Sequence, residues 1–136
     1  MVLRPDGLVL TAGHVVAGAV TVHADDLGDG QTYTATVIGI DARHDVALIQ
    51  LEDATGLRTA RLSSTGIHPG QVLSVGNAYG RGYPSIGFGP VTALGQSISN
   101  PALPGHRISG LIAADNSIAP RESGDPCSTA RVRSSA

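Results

Sequence analysis

The chain has 136 residues, 41% of them hydrophobic and 15% charged, which suits one domain with a single core and excludes a largely disordered polypeptide. A net charge of −2 leaves no basic footprint, so nucleic acid is not an expected partner. The lone Cys127 excludes an internal disulfide, and no apolar run is long enough to span a membrane as a helix. No charged region followed by an apolar one opens the chain, so no signal peptide is read there.

In chain order, short apolar runs rich in β-branched residues predict strands at residues 8–11, 20–22, 32–40, 46–51, 72–75, 91–94 and 110–114. Turn signals separate them: Pro5-Asp6-Gly7, Gly28-Asp29-Gly30, Asp41-Ala42-Arg43 and Pro69-Gly70. Helical periodicity is nowhere sustained, although residues 14–19 can form one short turn of helix. With one Phe, three Tyr and no Trp, the core must be built from Val, Ile, Leu and Ala. Regular short strands joined by polar turns predict an all-β barrel or sandwich. Residues 128–136, rich in Ser, Arg and Ala, do not read as a strand.

Three residues draw attention as a set. His14 follows the first predicted strand through Ala12-Gly13; a single His in such a place is usually structural. Asp45 opens the apolar run 46–51, where a carboxylate is costly to desolvate unless something pairs with it, yet Asp is also an ordinary turn residue. Ser123, among Gly and Pro, is by itself a loop residue. Their order, His then Asp then Ser at separations of 31 and 78 residues, is that of one convergent catalytic triad, the one carried on paired β-barrels.

The motifs around them carry a family resemblance. Leu10-Thr11-Ala12-Gly13-His14-Val15-Val16 resembles the histidine motif of chymotrypsin-like serine proteases, in particular the HtrA-like branch. Asp41-Ala42-Arg43-His44-Asp45-Val46-Ala47-Leu48-Ile49-Gln50-Leu51 resembles that branch's aspartate motif. Val75-Gly76-Asn77-Ala78-Tyr79-Gly80 and Gly89-Pro90-Val91-Thr92-Ala93-Leu94-Gly95 are similar to the opening strands of its second barrel. Leu111-Ile112-Ala113-Ala114-Asp115, followed by Ser123-Gly124, resembles the approach to its nucleophile.

The resemblance implies an all-β, two-barrel trypsin-like (chymotrypsin-like) fold, incomplete at both ends. The protease domain would span residues 1–127, with a first barrel over about 1–65, a partial second barrel over about 66–127 and a disordered tail at 128–136. It implies a serine endopeptidase in which Ser123 attacks the peptide carbonyl, His14 moves the proton and Asp45 orients His14. The backbone N–H groups of Arg121 and Ser123 would form the oxyanion hole. A polypeptide substrate is implied, no metal or cofactor, and an exported or cell-envelope setting in bacteria. Nothing in the residues specifies an oligomeric state.

Three of the six nucleophile-motif positions depart from the family pattern Gly-Asp/Asn-Ser-Gly-Gly-Pro: Arg121, Glu122 and Asp125. The strand pair before the histidine motif and the strands after the nucleophile are not found. These departures support a second reading, a catalytically inactive protease-fold domain that binds peptide or a partner protein. Other features read as structural. His44 is expected on the strand face opposite Asp45, and exposed. His23, His68 and His106 lack zinc-site spacing. Gly28-Asp29-Gly30 reads as a hairpin turn, Gly80-Arg81-Gly82 and Gly87-Phe88-Gly89 as loops, and Cys127 as a small buried or tail thiol.

Overall fold

The computed structural model describes residues 1–63, 69–101, 103–116, 123–124 and 126–129. Its elements, in chain order, are β1 (Leu8–Ala12), α1 (Gly13–Val16), β2 (Val22–Asp26), β3 (Gln31–Asp41), β4 (Val46–Leu51), β5 (Gln71–Gly76), β6 (Ser85–Ser99), β7 (Arg107–Ala114) and β8 (Cys127–Thr129), with a 3₁₀ turn at Ala78–Gly80. Two compact units contain them. The first comprises Met1–Leu62 with Ile98–Ile108, the second Ser63–Ser97 with Ser109–Ala136.

Period-two burial builds the first unit. Along β4, Ala47, Ile49 and Leu51 are buried while the residues between them are less so, which is how a strand with one core face must read. The strand lies inside an antiparallel sheet of order β1-β4-β3-β2. Its apolar side packs with Val9, Val16, Ala35, Ala54 and Leu57 into one aliphatic core. Burying a side chain such as Ile49 contributes about 1.5–3 kcal/mol. Ahead of β1, the turn at Pro5-Asp6-Gly7 folds the chain back so that Val2 bridges Val9, and the Leu3 N–H donates to the Leu8 carbonyl at 2.7 Å.

The β2–β3 hairpin has the turn that Gly28-Asp29-Gly30 predicts. Asp26 pairs with Gln31, the Gly30 N–H donates to the Asp26 carbonyl at 2.8 Å, and the Tyr33 hydroxyl donates to Asp29 Oδ2 at 2.7 Å. That bond, with the Gln31 N–H on the same carboxylate, holds the Asp29 carboxyl below the usual range. β2 itself begins at Val22, later than the predicted strand 20–22, and Val20 is fully solvent-exposed. Its sequence, Val-His-Ala-Asp-Asp, has little strand propensity and is held by pairing with β3, so tertiary context overrides composition there.

Most of a second antiparallel sheet, of order β7-β6-β5-β8, belongs to the second unit, with Val72 of β5 almost completely buried. Here two expectations are corrected. β6 is fifteen residues long, where the sequence predicts a strand only at 91–94 and reads Gly87-Phe88-Gly89 as a loop. Those glycines are strand residues paired with Val72 and Ser74 of β5, and glycine is required at both because the backbone of Asp115 and Asn116 crosses over them. A Cβ on Gly89 would stand 1.6 Å from the Asp115 carbonyl oxygen, and one on Gly87 2.0 Å from that of Asn116. The second correction concerns residues 127–129. Ser128 and Thr129, read as part of a tail, belong to β8, which pairs with β5 in the register Val72↔Thr129, Leu73↔Ser128 and Ser74↔Cys127. Residues 130–136 lie outside the described residues.

Candidate active site

Strand register delivers His14 to Asp45. β1 and β4 are antiparallel and end their pairing at Ala12↔Val46, and the next rung is the Gly13 N–H donating to the Asp45 carbonyl at 2.9 Å. The chain then leaves the strand and enters α1, the single helical turn expected from residues 14–19, with Ala12 as its extended N-cap residue. The first N–H groups of a helix have no intrahelical partner. Asp45 supplies one, accepting the His14 N–H on Oδ1 at 2.7 Å. Its other oxygen, Oδ2, lies 2.7 Å from His14 Nδ1.

This two-point contact requires close backbone approach. A Cβ on Gly13 would stand 3.2 Å from Asp45 Oδ1 and 3.3 Å from the Val46 nitrogen, tighter than side chains normally pack. Asp45 adopts φ 56, the left-handed region, which short polar side chains tolerate better than others. It therefore belongs to the turn 42–45 and not to the strand, which revises the expectation for His44. His44 is exposed, as expected, but because the turn directs it outward to Asp41, whose Oδ2 lies 2.6 Å from His44 Nδ1. That contact, followed by the His44 N–H, holds the Asp41 carboxyl below the ordinary carboxylate range.

The electrostatic consequence for His14 is specific. Its side chain is 35% exposed and that of Asp45 is 11% exposed, so the acid is sheltered while the ring stays accessible. A carboxylate facing Nδ1 selects the tautomer that carries its proton there, leaving Nε2 as the atom able to accept another. That is what a general base needs.

Ser123 belongs to the second unit, where it is exposed in a turn and followed by Gly124 at φ 88. Arg121, expected to share the oxyanion hole with Ser123, lies outside the described residues, as do Glu122 and Asp125. The structure thus brings His14 and Asp45 together within one unit and places Ser123 on the other. Cys127, four residues beyond Ser123, is an exposed strand residue whose thiol is pushed up from its ordinary pKa by partial burial, the opposite of activation. Sequence reading passed over Asn100. It is 4% exposed and donates to the Ala42 and Arg43 carbonyls of the Asp45 turn. No local signal marks it, since its partners are nearly sixty residues away in the chain.

Comparison with known proteins identifies the family. The trypsin-like peptidase domain, as a family, matches residues 1–131. The chain belongs to that family. This trypsin-like domain is 36% identical over 127 residues to a probable periplasmic serine endoprotease DegP-like of Marinomonas, covering 92% of the chain and 25% of that protein. It is 36% identical over 132 residues to the putative serine protease HhoB of Synechocystis, covering 96% of the chain and 31% of that protein. The domain thus spans about a quarter to a third of the length of these relatives. Among solved structures, the HtrA-type protease AlgW with decapeptide superposes with a TM-score of 0.80 at 26% identity, covering 95% of this chain and 38% of that one. The MamO protease domain of Magnetospirillum magneticum gives the same TM-score at 22% identity over 95% of this chain and 68% of its own, a likeness of fold alone. The fold of this trypsin-like domain is the all-β, two-barrel one of HtrA-like proteases.

Proposed function

We propose that the chain is the catalytic domain, or the larger part of one, of a serine endopeptidase, with His14, Asp45 and Ser123 as its triad. The observation that carries this reading is the two-point contact of Asp45 with His14, at 2.7 Å to Nδ1 and 2.7 Å to the backbone N–H. It prepares the ring to take the Ser123 proton at Nε2 as the oxygen attacks a peptide carbonyl, and then to return that proton to the leaving amine. Asp45 stabilises the imidazolium that forms between the two steps. The acyl group carried on Ser123 is released by water, activated in turn by His14. The backbone N–H groups of Ser123 and Arg121 would receive the negative charge of the tetrahedral intermediates.

The substrate class is exposed, unfolded polypeptide, in keeping with the endoprotease names of the DegP-like relatives. The same names, periplasmic in the DegP-like proteins, support an exported or cell-envelope setting in a bacterium. Among the described residues no helix is long and apolar enough to cross a membrane. We take the protease domain to extend over residues 1–127. The test is cleavage of an unfolded protein such as reduced casein by the purified chain. Turnover that is lost in Ser123→Ala and in His14→Ala, with folding unchanged, supports the proposal. A folded chain that binds peptide and never cleaves it supports the non-catalytic reading, which Arg121 and Asp125, standing where the family has glycines, favour.

A further inference from the structure

We infer that Asn100 is a positioning residue for Asp45, holding the turn from which that carboxylate reaches His14; the inference rests on the triad proposed above. The turn 42–45 is fixed from two sides. On one, the Asp41 carboxylate accepts the N–H groups of Arg43 at 3.0 Å and His44 at 3.2 Å. On the other, Asn100 Nδ2 donates to the carbonyls of Ala42 at 2.8 Å and Arg43 at 3.1 Å. The orientation of the Asn100 amide is set by its neighbours. Its Oδ1 accepts the Leu103 N–H at 3.0 Å, and exchanging O for N would face an oxygen to two carbonyls and an N–H₂ to an N–H.

Three observations make this more than a loop contact. Asn100 is buried at 4% exposure, so its amide left water to make these bonds. Asp45 holds φ 56, and a residue in that region persists only where its surroundings over-determine it. With the Arg43 and His44 N–H groups taken by Asp41 and the Ala42 and Arg43 carbonyls by Asn100, the turn that leads into Asp45 is held through both its donors and its acceptors. The third is sequence distance: the bonds span 57 and 58 residues, and Asn100 and the turn belong to the same compact unit. The Asn100 N–H itself donates to the His106 carbonyl at 2.9 Å, so the side-chain amide is presented from a paired backbone. If the Asn100 donors are removed, the turn relaxes, Asp45 leaves its left-handed conformation, and its Oδ2 swings away from His14 Nδ1.

Asn100→Asp is the informative variant, because it keeps an acceptor for Leu103 and removes both donors to the turn. In the full chain, ¹H NMR of the His14 Nδ1 proton reports the contact directly, since a proton held between imidazole and carboxylate is shifted far downfield and protected from solvent. That signal should be present in the native chain, lost in Asp45→Asn, and shifted or exchange-broadened in a folded Asn100→Asp. In the hydrolytic assay the same variant should lower kcat by about a hundredfold with KM nearly unchanged, the scale of a misplaced catalytic group. A folded Asn100→Asp whose Nδ1 signal keeps its position and exchange rate would overturn the inference. If that variant does not fold, the Asn100 side-chain amide of the native chain decides: slow exchange of its protons is required, and exchange as fast as an exposed amide overturns it. A downfield signal that survives Asp45→Asn would remove the underlying His–Asp reading, and the inference with it.

Discussion

Asp45 meets His14 through both carboxylate oxygens, Oδ2 at the ring Nδ1 and Oδ1 at the backbone N–H, each at 2.7 Å. The two contacts do different things: one orients the imidazole, the other closes the first turn of α1 on which the imidazole stands. Replacing Asp45 by Asn keeps an acceptor for the backbone but offers Nδ1 an uncharged amide. We expect Asp45→Asn to retain the fold and to lower kcat by roughly 10³–10⁴, as a wrong tautomer does in such triads. Steady-state hydrolysis of a peptide substrate measures this. A loss of less than tenfold would mean that Asp45 is not the orienting acid.

Gly87 and Gly89 of β6 are packing requirements and not turn signals. Gly89→Ala places a Cβ 1.6 Å from the Asp115 carbonyl oxygen, a backbone atom with nowhere to go, and should destabilise the chain by about 3 kcal/mol or more. Gly39, in β3, has nothing within 4 Å of the same added atom. Gly39→Ala should therefore stay within about 0.5–1 kcal/mol of native stability. Urea denaturation of the two variants checks the contrast, and equal losses would show that the Asp115 crossing is misplaced.

Acid should release the Asp41 link to the turn. The folded-state pKa of Asp41 is lowered, first by His44 and then by backbone N–H groups, so the carboxylate's stabilisation is present above the unfolded value near 3.8 and is lost as pH falls through the lower folded value. Both side chains are exposed, so the contribution is small. Asp41→Asn preserves the acceptor without the charge. The difference in thermal midpoint between native and Asp41→Asn should shrink as pH drops from about 5 to about 2. A gap that stays constant over that range would remove the linkage.

The first unit was more legible in the sequence than the second, for physical reasons. Residues 46–51 form an apolar run broken only by Gln50, so the predicted strand and β4 coincide, and the residues beside it, Asp45 and His14, fall where adjacent strand ends must meet. In β6, Gly87, Gly89 and Pro90 carry the turn signature, while Gly87 and Gly89 answer to a backbone crossing made by residues 115–116. No local pattern encodes that. Ser128 and Thr129 look like tail until β5 supplies a partner. Asn100 was invisible for the same reason: its donors are matched to carbonyls brought near by folding, not by spacing.

The central claim is that Ser123 is a nucleophile made reactive by the His14–Asp45 pair. Labelling of the purified chain by a fluorophosphonate probe, with the modified residue located by mass spectrometry, tests it most directly. Native chain and Cys127→Ser should be labelled at Ser123, the latter because the Cys127 thiol, pushed up by partial burial, is not the activated group. Ser123→Ala and His14→Ala should not be labelled. A chain shown to be folded that takes no label, or one labelled equally well after Ser123→Ala, would contradict the account.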